Sequence, residues 1–213
     1  MTIEQAARAR LTAKAAPQWI AALTGAGIVQ PMEGAGTTSM SAPPIAAVPS
    51  VGQSRTMEAT AAFESLAASL SGQPISHLWR GYGSAIFFEF GELSPRPRRD
   101  GLPANRQGQV SLGVEWSWRV EDDSGILCGS WSDEALWDQS LARLRDRRIE
   151  SLTLFGKLPE VELAMEGPIR FLSFSTTDGQ PQWHLLDRRR DPEHWYTVSE
   201  GRLRLGDGTE PRF

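Results

Sequence analysis

One cysteine, three histidines and two lysines stand in a chain of 213 residues, and each shortage removes a class of mechanism. Cys128 alone supplies neither an internal disulfide nor a cysteine cage for a metal within one chain. A reducing cytoplasmic setting fits that count. His77, His184 and His194 form no short-spaced pair, so a metal site would need ligands from distant strands, and no metal or other cofactor is expected. No apolar run nears the roughly 20 residues of a membrane-crossing helix, and the opening MTIEQAARAR lacks the apolar stretch of a secretory signal. A soluble chain with no membrane partner is expected. The glycines complete neither the dinucleotide fingerprint nor GxxxxGK[ST], and the GxSxG elbow of a serine nucleophile is absent.

Charge is short in one sense as well. The formal net charge of −4 leaves no basic excess for gripping phosphates in bulk. The runs RLRDRR at 143–148 and RRR at 188–190 are flanked by acids and read as solvated helix ends or turns. No nucleic-acid partner is expected. Lys14 and Lys157 are the only lysines, and the arginine excess together with many alanines matches GC-rich bacterial coding.

Residues 1–56 hold one aromatic, Trp19, and are punctuated by proline and glycine in GAGIVQPMEGAGTTSMSAPPIAAVPSVGQ. Such a stretch buries too little apolar surface to offset the entropy of ordering. It is expected to be a largely disordered arm, with a short helix over 3–15 and a docking segment around Trp19, Ile20 and Leu23 as the ordered alternative. A transit peptide, or a true start at Met57, are lesser readings of the same stretch.

From residue 57 the pattern is that of one α+β domain, 57–213. Met57, Phe63, Leu66 and Leu70 approximate one helical face that ends at Gly72 and Pro74. ISHLWRGY and SAIFFEFGEL then flank a Gly-Tyr-Gly turn that needs positive φ, the pattern of a hairpin. In QVSLGVEWSWRVED the apolar Val110, Leu112, Val114, Trp116, Trp118 and Val120 alternate with polar or small residues, which predicts one strand with both tryptophans inward and Glu115 and Arg119 opposite. GILCGSW is its hairpin partner, and Cys128 in that apolar strand reads as a small hydrophobe. SDEALWDQSLARLRDRR predicts a capped helix with Leu136, Trp137, Leu141 and Leu144 inward. IESLTLFG, EVELAMEG, IRFLSFST and QWHLLD follow as strands with short turns, and WYTVSEGRLRLG closes as a hairpin. The expected fold is a mainly antiparallel sheet, curled into a barrel or split into a sandwich, with two packed helices.

GYGSAIFFEFG, GQVSLGVEWSWRVED and GQPQWHLLD together resemble an uncharacterised family of small bacterial β-rich proteins, over about residues 74–205. That resemblance implies a shared fold and no assigned chemistry. By analogy with other β-rich domains of this size, an immunity-like or accessory role is implied.

Paired carboxylates are the nearest approach to catalysis. Glu89, Glu115, Glu162 and Glu166 face away from the most apolar stripes, with Arg80, Arg119 and Arg170 able to share that face. Ordinary cross-strand ion pairs are the preferred reading of this set. Seven of the eight tryptophans follow residue 73, and Trp79, Trp131, Trp183 and Trp195 are candidates for a surface cluster that anchors a partner or stacks on a ligand. The leading expectation is a noncatalytic protein-binding domain. The alternative is a small-ligand-binding protein or enzyme with a carboxylate- and arginine-lined pocket at the end of a barrel, using Trp79, Arg80, Tyr82, Glu115, Arg119, Trp183 and His184. The two differ in whether a concave polar pocket exists. Oligomeric state is left open.

Overall fold

A computed structural model describes residues 51–96, 104–176 and 182–207. Residues 1–50 of the expected N-terminal arm, with its helix over 3–15 and the segment around Trp19, lie outside the described residues, whereas residues 51–56 are helical. A first helix, α1 (Val51–Leu70), leads into β1 (Ile75–Arg80), β2 (Ile86–Phe90) and β3 (Val110–Val114). β4 (Ser117–Asp122) and β5 (Gly125–Gly129) precede a 3-10 turn (Glu134–Leu136) and the short helix α2 (Trp137–Ala142). β6 (Ile149–Phe155), β7 (Glu160–Met165), β8 (Ile169–Phe174), β9 (Trp183–Asp187), β10 (His194–Ser199) and β11 (Arg202–Gly206) complete the order.

The strands form two antiparallel sheets, six-stranded β1-β2-β3-β9-β10-β11 and five-stranded β5-β4-β8-β7-β6. The fold is α+β and sandwich-like, and the sheets do not close into a barrel. The chain starts in the larger sheet, crosses to the smaller for β4–β8 and returns for β9–β11. Both crossings lie side by side: Glu115 N donates to Gln182 O at 2.8 Å, and the hydroxyls of Ser117 and Thr176 are 3.0 Å apart. β3 pairs with β9 on one side of this corner and β4 with β8 on the other. The sheets are thus joined where strands bend from one layer to the next, a common way to turn a sandwich corner.

This bend corrects the reading of 109–122 as one strand. Strand alternation cannot run through the break at Glu115 and Trp116, so Trp116 is turned out and 51 % exposed while Trp118 on the new sheet stays buried. Ser84 Oγ donates to Trp116 O at 2.7 Å and Trp118 Nε1 to Ser84 O at 2.6 Å, which ties the β1–β2 turn to the corner. In that turn Gly83 takes φ +62°, as the Gly-Tyr-Gly reading requires.

The helices cover the two open sides. α1 packs against β6 and β11, the outer strands of the two sheets. Its buried face is Ala59, Phe63, Leu66, Ala67 and Leu70, a 3.6-residue stripe, and Phe63 meets Trp183 and Tyr196 edge-on. Met57, expected on that face, is 65 % exposed, and the helix begins at Val51 rather than near residue 57. On the other side α2 contacts β5, its Trp137 crosses Trp118 edge-on, and Arg80 of β1 lies over the Trp137 ring at 4.6 Å. Asp133 provides the expected cap, accepting from Ala135 N at 3.0 Å, but the first turn is 3-10 and leaves Leu136 exposed rather than inward. Trp137, Leu141 and Leu144 are buried as their spacing predicts. One apolar core runs between both sheets and under both helices, and Cys128 belongs to it. Among the described residues no helix is long and apolar enough to cross a membrane.

Candidate functional site

The core uses one face of the six-stranded sheet, and the other face carries a row of rings. In β2 the residues Ile86, Phe88 and Phe90 point inward, so alternation sends Phe87 and Glu89 outward. Register then sets Trp79 opposite Phe87, Gly113 beside Phe87, His184 beside Gly113, and His184 next to β10. Trp79 and Phe87 stack at 4.0 Å with planes 8° apart, and His184 stacks on Trp195 at 5.0 Å and 21°. Phe87 and His184 approach to 6.0 Å across β3. Only a glycine allows this, because a Cβ on Gly113 would fall 2.4 Å from the His184 ring and 2.9 Å from Phe87.

A polar network borders the rings. Glu89, 3 % exposed, accepts from Trp79 Nε1 at 3.1 Å, from Gly108 N at 2.8 Å and from the Ser111 hydroxyl. Arg188 reaches back over β3, its Nη1 donating to Ser111 Oγ at 2.6 Å and to Gly108 O at 2.9 Å. The Gln107 side-chain amide lies against the same guanidinium, and turning it so that its oxygen faces Arg188 lets it accept from Nε and Nη2. The carboxylate thus accepts three hydrogen bonds, and the arginine is oriented by its own donors. Between rings and network lies a cleft of about 220 Å³, lined further by Arg96, Asn105 and Leu186. Glu115 is not in the lining but sits 3.7 Å from His184 Nδ1, and burial pushes its carboxyl above the ordinary glutamate value.

The residues proposed from sequence divide between this cleft and other places. Trp79 and His184 line it, and Glu115 stands against His184. Trp183 does not: its neighbour faces the cleft, so alternation turns it into the core, 0 % exposed, with Nε1 donating to Pro159 O at 2.8 Å. Arg80 is bound at the opposite side of the hairpin, to Glu134 at 2.8 Å and Asp138 at 3.6 Å. Tyr82 is fully exposed on the β1–β2 turn. Arg119 lies on the smaller sheet, paired with Glu121 at 2.5 Å and over the Phe174 ring at 4.6 Å. Because the chain bends between them, Glu115 and Arg119 do not share a face, and a site at a barrel end does not exist in a sandwich. Glu162 pairs with Arg170 at 3.7 Å on the outer face of the smaller sheet, an ordinary cross-strand ion pair.

Phe87 and Glu89 were legible from the alternation of IFFEF. Arg188 was not, since RRR read as a solvated turn, and nothing local marks Gln107 or Gly108 as its anchors. Among the described residues no three His, Cys, Asp or Glu gather as a metal site. No protein-family model, no curated protein and no solved structure matches the chain. Fold and cleft therefore define the class by themselves: a two-sheet sandwich with an aromatic, arginine-bordered cleft on a sheet face.

Proposed function

We propose that the protein binds a small molecule, without transforming it, in the cleft on the outer face of the six-stranded sheet. The observation that carries this is preorganisation: two stacked ring pairs and a hydrogen-bonded Glu89–Ser111–Arg188–Gln107 border stand ready in place. Apolar walls with a few directed polar groups are what small-ligand sites provide. Glu89 spends its lone pairs on three donors and Glu115 is beyond hydrogen-bond reach of His184, which supports binding over proton transfer. The resemblance to small bacterial β-rich proteins rests on GYGSAIFFEFG, GQVSLGVEWSWRVED and GQPQWHLLD, and a family with those stretches would share the strands that carry the cleft. The test is ligand-observed NMR against a panel of aromatic and sugar fragments, comparing the protein with Trp195→Ala. Binding that disappears in the variant, with near-UV circular dichroism otherwise retained, is expected. A panel that binds the variant equally well overturns the cleft as the site.

A protein partner is the second reading, favoured by a separate observation. Tyr82, Trp116, Trp131 and Leu136 are 100 %, 51 %, 90 % and 51 % exposed, and all lie on the turns tied together around Ser84, Trp118 and Arg80. Exposed rings at one end of a fold suit an interface, in an accessory or immunity-like role. Tyr82→Ala with Trp131→Ala should abolish such a contact in cross-linking and leave cleft binding unchanged.

A further inference from the structure

We infer that the exposed end made by the β1–β2 turn and the loop entering α2 docks a protein segment that carries arginine, with the rings taking its apolar parts and the carboxylates its guanidinium. This rests on the second reading, a protein partner, and adds the partner's chemistry. Tyr82 and Trp131 are 100 % and 90 % exposed, yet both stand on hydrogen-bonded backbone. Gly81 N donates to Ala85 O at 2.8 Å and Ala85 N to Tyr82 O at 3.2 Å, which closes the turn under Tyr82. Ser130 N donates to Trp118 O and Ser132 N to Gly129 O, both at 2.9 Å, so the chain is tied on each side of Trp131. Trp118 joins the two turns, because its Nε1 also donates to Ser84 O. Rings held out on tied turns lose little freedom when a partner covers them.

The carboxylates in the same loop set the charge of that partner. The side chains of Glu134 and Asp138 are 70 % and 85 % exposed, and Asp133 is exposed with them. Arg80 stands among these groups and shows how this end holds an arginine. Its guanidinium lies over the Trp137 ring at 4.6 Å and its Nη2 donates to Glu134 Oε2 at 2.8 Å, while Asp138 Oδ1 is 3.6 Å from Nη1. At that distance the Asp138 contact is a charge pair without a hydrogen bond, so its oxygens can accept donors from outside. Trp131, Asp133 and Asp138 repeat the same components, indole and carboxylate, with the indole uncovered. Arginine is the cation that uses both, stacking on an indole by its plane and pairing a carboxylate by its fork. A phosphate-bearing partner would meet like charge here.

The experiment selects binders to the whole chain from a phage-displayed library of random dodecapeptides. The selected peptides are then titrated by fluorescence anisotropy against the whole chain, Trp131→Ala and Asp138→Asn, and sedimentation of the chain alone runs beside them. Both positions are at the surface, so both variants are expected to fold, which circular dichroism checks. Arginine-bearing peptides are expected, bound about thirtyfold more weakly by Trp131→Ala and about fivefold more weakly by Asp138→Asn, a difference that added salt shrinks. Peptides without basic residues that still depend on Trp131 overturn the arginine class and leave the protein-partner reading standing. Arginine-bearing peptides that bind both variants unchanged overturn the proposal, because bulk charge then holds them elsewhere. Self-association of the chain that Trp131→Ala abolishes makes a second copy the occupant and overturns it too. A library that yields no binder overturns the proposal and the second reading together.

Discussion

Asp187 ends β9 with a carboxylate whose side chain is only 3 % exposed, held by Arg189 through Nε at 2.8 Å and Nη2 at 3.0 Å. Burial alone would raise its pKa, but the Arg189 hydrogen bonds and the nearby Arg189 and Arg190 charges outweigh it and hold the group below the ordinary aspartate value. A depressed carboxylate contributes stability that is present above its unfolded pKa, about 3.9, and lost as pH falls through the lower folded value. Asp187→Asn should therefore cost about 2 kcal/mol at pH 7, with the deficit closing in denaturant melts below about pH 4. Glu115 has the opposite sign. Burial raises its pKa, so stability is lost as pH rises from the unfolded value through the folded one, and Glu115→Gln should flatten that loss. A melt series from pH 4 to 8 in which wild type and Glu115→Gln run parallel would contradict this. Gly113→Ala tests the ring row: with no room for a Cβ between Phe87 and His184, we expect about 1–3 kcal/mol of strain and weakened cleft binding in a chain that still folds.

At the scale of elements, α1 is set by what it covers. Its stripe of Ala59, Phe63, Leu66, Ala67 and Leu70 lies against β6 and β11, one strand from each sheet. Phe63→Ala should cost about 3–5 kcal/mol, because its ring fills the space between Trp183 and Tyr196. A loss below 1 kcal/mol in a denaturant titration would mean that the helix is not seated there. The periodicity of the helix and of each strand was readable residue by residue. The place where alternation stops was not: GVEWSWRV contains no proline and its glycine lies in β3, yet the chain turns at Glu115 and Trp116. That turn is imposed by pairing with β9 on one side and β8 on the other, partners that arrive about 60 residues later in the chain.

For the whole molecule, one core shared by both sheets and both helices predicts cooperative unfolding. Near-UV circular dichroism and far-UV circular dichroism should report the same transition. Cys128 adds a probe, since at 1 % exposure in β5 its thiol should resist a disulfide reagent in the native state and react at the rate of unfolding. Labelling much faster than the global transition would show the smaller sheet opening by itself.

Composition and spacing by themselves determined the antiparallel α+β class, the helical stripe around Phe63, the hairpins and the inward residues of most strands. These depend on local periodicity and turn chemistry, which each segment carries within itself. Trp79 and His184 could be nominated for the same reason, as large side chains opposite an apolar face. Only the tertiary structure decided that Trp183 is core, that Glu115 and Arg119 part company at the corner, and that Arg188 folds back over Ser111. Each of those depends on which strand lies beside which, and a pairing between distant segments leaves no mark on either one alone.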